Sequence, residues 1–282
     1  MKNKFFASVL AVGVISAVLS GCGGSGASSG ASPSASAGKD EVKKVNVALE
    51  SGSKPLSFED EKGNKVGYEV DVLQAVDALI PDYDFNLEFV ESDATSIGLD
   101  AGKYALIGGG LYKTKEREEK YLLPEAINGV SLINIYVHED ENGIKSIDDL
   151  VGKNVVPSTP NGGIYNLLTS YNAEHPDAQI TITTAEGVSV ADRFVSVDAG
   201  QYDALILPNN LGFNEIKAQL GLKIKAVETP VAINGTYFAL SKDQAELSEK
   251  VSGALKTLRE NGTLSELSLK WYGEDTIQYF ED

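Results

Sequence analysis

The sequence predicts an α/β fold built from two units of similar size. Strand-type and helix-type hydrophobic patterns alternate from Val45 onward, the alternation restarts near Ser146, and the tail from Leu247 is helical. A βαβ rhythm of this kind argues for a mainly parallel sheet covered by helices.

In the first unit, Val45, Val47 and Leu49 alternate with Asn46 and Ala48, as on a strand. Val72, Ala75, Val76 and Leu79 form the i, i+3, i+4, i+7 stripe of an amphipathic helix over 69–79. Phe85, Leu87 and Phe89 alternate again. A helix near 95–101 and a short buried run at 105–107 follow. In the second unit, Ser146-Ile147-Asp148-Asp149 reads as a capping-box start. Val155-Val156 reads as a buried strand, and Ile164, Leu167, Leu168 and Tyr171 as a helix stripe. Ile180 with Ile182, and then 204–207, read as further strands. In the tail, Leu247, Val251, Ala254, Leu255 and Leu258 share a helical face. Asn261-Gly262 stops that helix, and Thr263 is placed to cap another bearing Leu264, Leu267 and Trp271.

With 42% apolar and 23% charged residues the chain has the composition of a globular protein. Its formal net charge of −17, with scattered basic residues, leaves no cationic face for phosphates, so nucleic acid is not an expected partner. The same charge resists flat adsorption on an anionic membrane, so membrane association needs a separate anchor.

The N-terminus supplies one. Lys2 and Lys4 precede an apolar run over 5–18, too short to span a bilayer and suited to a signal-peptide core. The run ends in Leu19-Ser20-Gly21-Cys22, which resembles the bacterial lipobox. That resemblance implies a signal peptide over 1–21, cleavage before Cys22, and lipid attachment to the only cysteine in the chain. Residues 22–40 are mostly Gly, Ser and Ala and read as a flexible leash spanning roughly 20–25 Å. The folded part is expected to work on the outer face of a bacterial cell membrane.

Three segments resemble the family 3 extracellular solute-binding proteins, the polar amino-acid binders of ABC importers. They are Pro55-Leu56-Ser57-Phe58-Glu59-Asp60 with Gly63 and Gly67-Tyr68-Glu69-Val70-Asp71-Val72; Gly102-Lys103-Tyr104 through Thr114-Lys115-Glu116-Arg117; and 254–263 with Trp271-Tyr272-Gly273, which looks like the tail of glutamine-binding proteins. The resemblance implies a two-lobe periplasmic-binding-protein-like fold of type II, with two chain crossovers and the ligand in the inter-lobe cleft. Lobe 1 is expected over 41–133 plus 238–282 and lobe 2 over 138–234, the chain crossing near 132–137 and 236–240. It further implies a substrate-binding component that delivers a small polar solute, an amino acid by expectation, to a membrane permease. No cofactor and a monomer are expected.

Arg117 is the leading candidate ligand residue. A planar guanidinium grips a carboxylate through two parallel hydrogen bonds, and the matching arginine of the family does so. The mixed run 113–120 around it also reads as a solvated surface helix. Gly110, in Gly108-Gly109-Gly110, can bring backbone amides close to a ligand or form a tight turn. Ser158, Thr159, Asn161 and Gly162 lie in a loop at a helix N-terminus, which favours an anion; the family uses this loop for carboxylate, and an ordinary capping turn fits as well. Glu50 ends the first strand, where α/β sheets place ligands, or is a surface carboxylate.

Several positions depart from the family. Tyr112 stands where a carboxylate-binding threonine is usual, stacking on ligand or packing at the rim. Pro208 replaces the usual ammonium-binding aspartate, with Asn209 and Asn210 beside it. Ser92 and Leu56 replace aromatic residues. Glu50 or Asp93 must then supply the counter-charge, or the ligand is not a standard α-amino acid. A sensory lipoprotein and a dehydratase-like enzyme are the alternatives on the same fold. The two histidines, His138 and His175, are far apart in sequence; no metal-ligand spacing or P-loop occurs, and no Ser-His-Asp motif supports catalysis.

Overall fold

The computed structural model describes residues 42–281. The expected signal peptide, the lipidated Cys22 and the leash lie outside the described residues.

A seven-stranded sheet runs through the protein. Strand β1 (Lys43–Glu50) pairs in parallel with β4 (Tyr83–Val90) and β5 (Leu106–Tyr112), as the first unit's rhythm predicts. A short antiparallel ribbon, β2 (Phe58–Glu59) with β3 (Lys65–Val66), lies apart from it. Strand β6 (Gly129–His138) and strand β9 (Ala232–Leu240) pair antiparallel from Gly129 with Thr236 to Ile133 with Ala232. Strand β9 also pairs antiparallel with β5, and β7 (Leu205–Pro208) and β8 (Ile224–Ala226) flank β6 antiparallel, so the sheet is mixed rather than mainly parallel as the sequence pattern predicts, because both crossing strands run against their neighbours.

These two long strands carry the chain between lobes. Val130 and Leu132 pack in one core with β1 and the terminal helices, whereas Ile133, Ile135 and Val137 pack in another with Leu150, Leu168 and Ile206. Lobe 1 is covered by α1 (Tyr68–Leu79), α2 (Ser92–Asp100), α7 (Ala245–Glu260) and α8 (Thr263–Tyr272). Between β5 and β6 lies the short α3 (Lys115–Lys120). Lobe 2 carries α4 (Gly163–Glu174), α5 (Val190–Asp198) and α6 (Phe213–Leu220).

Local chemistry explains most boundaries. The face of α7 that is apolar in sequence is buried, and Gly262 turns the chain left-handed (φ 84°) into α8. The cap of α8 is Gly262, with Asn261 Oδ1 accepting from Thr263 N, so Thr263 is the first helical residue rather than the cap. Ser146 and Asp149 form the expected capping box, on a 3-10 turn over Ile147–Leu150. Val155 and Ser158 each make only an isolated parallel bridge, to Ala204 and Thr184, and Ile180 and Ile182 lie outside any strand. Lobe 2 is thus poorer in ladder than its hydrophobic pattern suggests.

Helix α1 is fixed at its start. The amides of Tyr68 and Glu69 donate to the carbonyls of Pro55 and Leu56. Gly67 makes this approach possible at φ 136°; a Cβ there would stand 2.2 Å from the Leu56 carbonyl oxygen. One turn of this helix reaches into the centre of the lobe. Glu69 is 1% exposed, and its carboxylate accepts from the amides of Gly109 (2.7 Å) and Gly110 (3.0 Å) and from Asn128 Nδ2 (3.2 Å). The Gly108-Gly109-Gly110 segment lies inside β5, at a break in register between Ile107 and Leu111. A Cβ on Gly108 would meet Glu69 Oε2 at 2.8 Å. The triplet is therefore a β-bulge shaped around a carboxylate. Asn128 continues the network, its Oδ1 accepting from Thr236 Oγ1 (2.6 Å) and its carbonyl from the Tyr68 hydroxyl (2.9 Å). Glu69 thus ties α1, the bulge, the start of β6 and the middle of β9 together.

Burial pushes the Glu69 carboxyl above its ordinary range, outweighing the three donors that favour the charged form. The folded state therefore holds this proton more tightly than the unfolded chain does. Its contribution is complete below about pH 4 and is lost as pH rises through the folded-state value.

Gly67→Ala is expected to cost about 3 kcal/mol or more in urea unfolding, from clash and strain combined. Gly63→Ala, also left-handed (φ 77°) but with open space around its Cβ, should cost about 1–2 kcal/mol. Glu69→Gln turns an amide donor toward a donor and should destabilise by roughly 2 kcal/mol. The gap between wild type and Glu69→Gln should narrow as urea midpoints are taken from about pH 4 to about pH 8.

Candidate functional site

The carboxyl ends of β1 and β5 carry the lobe 1 candidates. Glu50 closes β1, half-buried, with its carbonyl accepting from Ser57 Oγ (2.6 Å) and its Oε2 3.8 Å from where a Gly109 Cβ would be. Gly110 sits at φ 64° against Leu56, and its amide is turned to Glu69. Its contribution at the surface of the site is thus closeness of backbone rather than a free N–H. Tyr112 ends β5 with its hydroxyl 2.9 Å from Ser131 Oγ, a fully buried residue of β6, and burial pushes the phenol up. Arg117 is the one residue of α3 that is not exposed. Its Nη1 donates to the Tyr112 carbonyl (2.8 Å), and Thr114 caps the helix by accepting from its amide. Asp93 lies exposed in the first turn of α2, its carbonyl accepting from Ser96 Oγ, and among the described residues no hydrogen bond or ion pair joins it to the other candidates.

Lobe 2 brings Ser158, Thr159 and Gly162 to a cavity of ≈ 250 Å³, lined also by Ile164, Leu207 and Arg193. Asn161 makes the turn before α4 at φ 57°, the only left-handed non-glycine among the described residues, with its carbonyl accepting from Asn166 Nδ2. The amide of Gly162 donates back to Thr159 O, and Gly162 offers α4 no side-chain cap. Ser158 is buried, its amide and hydroxyl both turned to Thr183 O.

Asn209 follows β7 and clamps the crossing strand. Its amide donates to Leu132 O (2.9 Å), and its Oδ1 accepts from Leu132 N (3.0 Å). The adjacent Asn210 is the residue that reaches across, with Nδ2 3.3 Å from where a Gly110 Cβ would be. The lobes also touch through Asn214 Nδ2 on the Tyr272 carbonyl (2.7 Å) and an exposed Lys54–Glu215 pair (3.0 Å). His138 ends β6 with Nδ1 near Asp140, and His175 stacks on Tyr171 at the end of α4. Among the described residues no cluster of His, Cys, Asp or Glu could hold a metal ion.

Sequence reasoning missed Glu69, Asn128 and Arg193. Two of them carry a usable signal. Glu69 lies three and four residues before the buried Val72 and Leu73, and Arg193 lies three after Val190 and one before the buried Phe194. A charge placed on the core stripe of a helix has to be met by partners inside.

Residues 45–274 match the bacterial extracellular solute-binding proteins, family 3. The chain is 29% identical over 260 residues to the L-cystine-binding protein TcyK of Bacillus subtilis, covering 92% of each chain. It is 32% identical over 279 residues to the probable amino-acid-binding protein YxeM of the same organism, covering 98% of this chain and 97% of that one. A crystal structure of the probable amino-acid ABC transporter extracellular-binding protein ytmK from B. subtilis superposes with a TM-score of 0.74 at 26% identity, over 83% of this chain and all of that one. With the two-lobe architecture and a family match across nearly all described residues, the chain belongs to the bacterial extracellular solute-binding proteins, family 3.

Proposed function

We propose that this protein is the substrate-binding component of an ABC importer and captures an amino acid by its carboxylate between the lobes. The observation that carries the reading is the inward turn of Arg117, held at the end of β5 while every other residue of α3 faces solvent. One Nη1 donor is spent on the Tyr112 carbonyl, which fixes the guanidinium plane and leaves its other donors for a ligand. The Ser158–Gly162 loop answers it from lobe 2, at a helix start where anions are favoured. Relatives named for L-cystine and for amino acids support the solute class.

Lobe 1 is taken as 41–133 plus 238–282 and lobe 2 as 138–234, and Glu50 is the counter-charge for an ammonium group in place of the aspartate replaced by Pro208. Tyr112, hydrogen-bonded to Ser131, forms the wall beside Arg117. The chain is exported, anchored through lipid on Cys22, and docks as a monomer on a membrane permease. No helix among the described residues is long and apolar enough to cross a membrane, and the acidic body needs such an anchor to stay near one.

Arg117→Ala should weaken binding of L-cystine, or of whichever amino acid raises the melting temperature most, by at least about 2 kcal/mol, or roughly thirtyfold, in titration calorimetry. Affinity within a few tenths of a kcal/mol of wild type contradicts the assigned role. Cys22→Ser should move the protein from the membrane fraction to the soluble fraction of the producing cell, and retention at the membrane contradicts the anchor.

A further inference from the structure

Arg193 is a buried cation without an anion. It is 7% exposed. Its hydrogen bonds go only to neutral oxygens: Nη1 to Pro157 O (2.7 Å), Nη2 to Thr159 Oγ1 (3.3 Å) and Nε to Val188 O (3.5 Å). Among the described residues no carboxylate lies within ion-pair distance of it. Its neighbour Asp192 is exposed and engaged with the Ser189 hydroxyl that caps α5 (2.7 Å). A guanidinium carries five N–H donors, so this one retains capacity after its neutral acceptors are counted. Burying a charge without a counter-ion is costly, and a ligand that supplies the counter-ion recovers that cost on binding.

The cavity that Arg193 lines is also where α4 begins. Gly162 gives no side-chain cap, and among the described residues the amides of Gly163, Ile164 and Tyr165 meet no acceptor. Gly162, Gly163 and Ile164 line the same cavity, as does Thr159, whose hydroxyl accepts from Arg193. Positive partial charge from the helix start and the full charge of Arg193 therefore converge on one space of ≈ 250 Å³, with no acidic side chain in its lining.

We propose that this cavity is an anion pocket of lobe 2 and that Arg193 supplies its charge, so that an acidic group of the solute is held from lobe 2 by a guanidinium as well as from lobe 1 by Arg117. The chemical class is an oxyanion, a carboxylate when the solute is an amino acid. The identity of the solute rests on the proposed function; the pocket itself does not. Arg193 is then what makes lobe 2 pull on an acidic solute, and cationic groups are excluded from this half of the cleft.

The test uses the purified full chain and inorganic sulfate as probe, with chloride at matched ionic strength as control. Wild type should show a saturable rise in melting midpoint with sulfate beyond the chloride control, Arg193→Met should lose it, and Arg193→Lys should keep part of it. Gly163→Pro keeps the fold whatever becomes of Arg193→Met. Proline suits the first helical position, Gly162 is already extended (φ −76°, ψ 172°), and nothing stands within 4 Å of a Cβ at Gly163. It removes one amide donor and should cut the sulfate response severalfold. In calorimetry with L-cystine, Arg193→Met should weaken binding at least tenfold. If no amino acid binds wild type while the sulfate response still depends on Arg193, the amino-acid reading falls and the pocket stands. A wild type without saturable sulfate response, or an Arg193→Met or Gly163→Pro protein that responds as wild type does, overturns the pocket.

Discussion

The carboxylate of Glu69 joins parts of the chain that would otherwise have no reason to keep their relative positions. It sits in the first turn of α1, yet its three donors come from the β5 bulge and from Asn128, immediately before the first crossing strand. Through Asn128 it reaches Thr236 on the second crossing strand. The shape of the bulge, the close backbone at Gly110 and the register of β6 against β9 all depend on this group being satisfied. A buried network of this kind is stable only when every member has its partner.

From that anchor the two halves of the cleft can be understood as complementary. Lobe 1 carries Glu50 at the end of β1 and Arg117 in α3, bonded to the last residue of β5, and under the proposed function these opposite charges suit a zwitterionic solute. In the proposed pocket, lobe 2 offers the start of α4 and the Arg193 guanidinium, with no acidic side chain in the lining. Asn210 approaches Gly110 across the gap, and under the proposed function a hinge at β6 and β9 would open or close the space between them. A solute with differential contacts in the closed arrangement would shift that equilibrium.

Much of this was legible in the chain. The stripes of α1 and α7, the parallel pairing of β1 with β4 and β5, and the capping box at Ser146 follow from period and cap chemistry. The glycine triplet was not, because three glycines after an apolar run look alike as a turn or as a bulge until the side chain they avoid is known. Val155 and Ile180 look like strands because they are apolar and buried, but burial in a mixed lobe does not require a ladder. Arg117 was ambiguous within a charged run, since pattern cannot say which of several charges turns inward. Glu69 and Arg193 were missed although both interrupt an apolar stripe, where a charge demands an internal explanation.

Carbon-13 NMR of the Glu69 carboxyl, followed together with the amide signals of Gly109 and Gly110 through a pH titration of the folded protein, examines this anchor directly. The expected result is a carboxyl midpoint above the ordinary value of about 4.3, with both glycine amides shifting at the same midpoint. A carboxyl that titrates near that ordinary value while the two amides stay still would contradict the account.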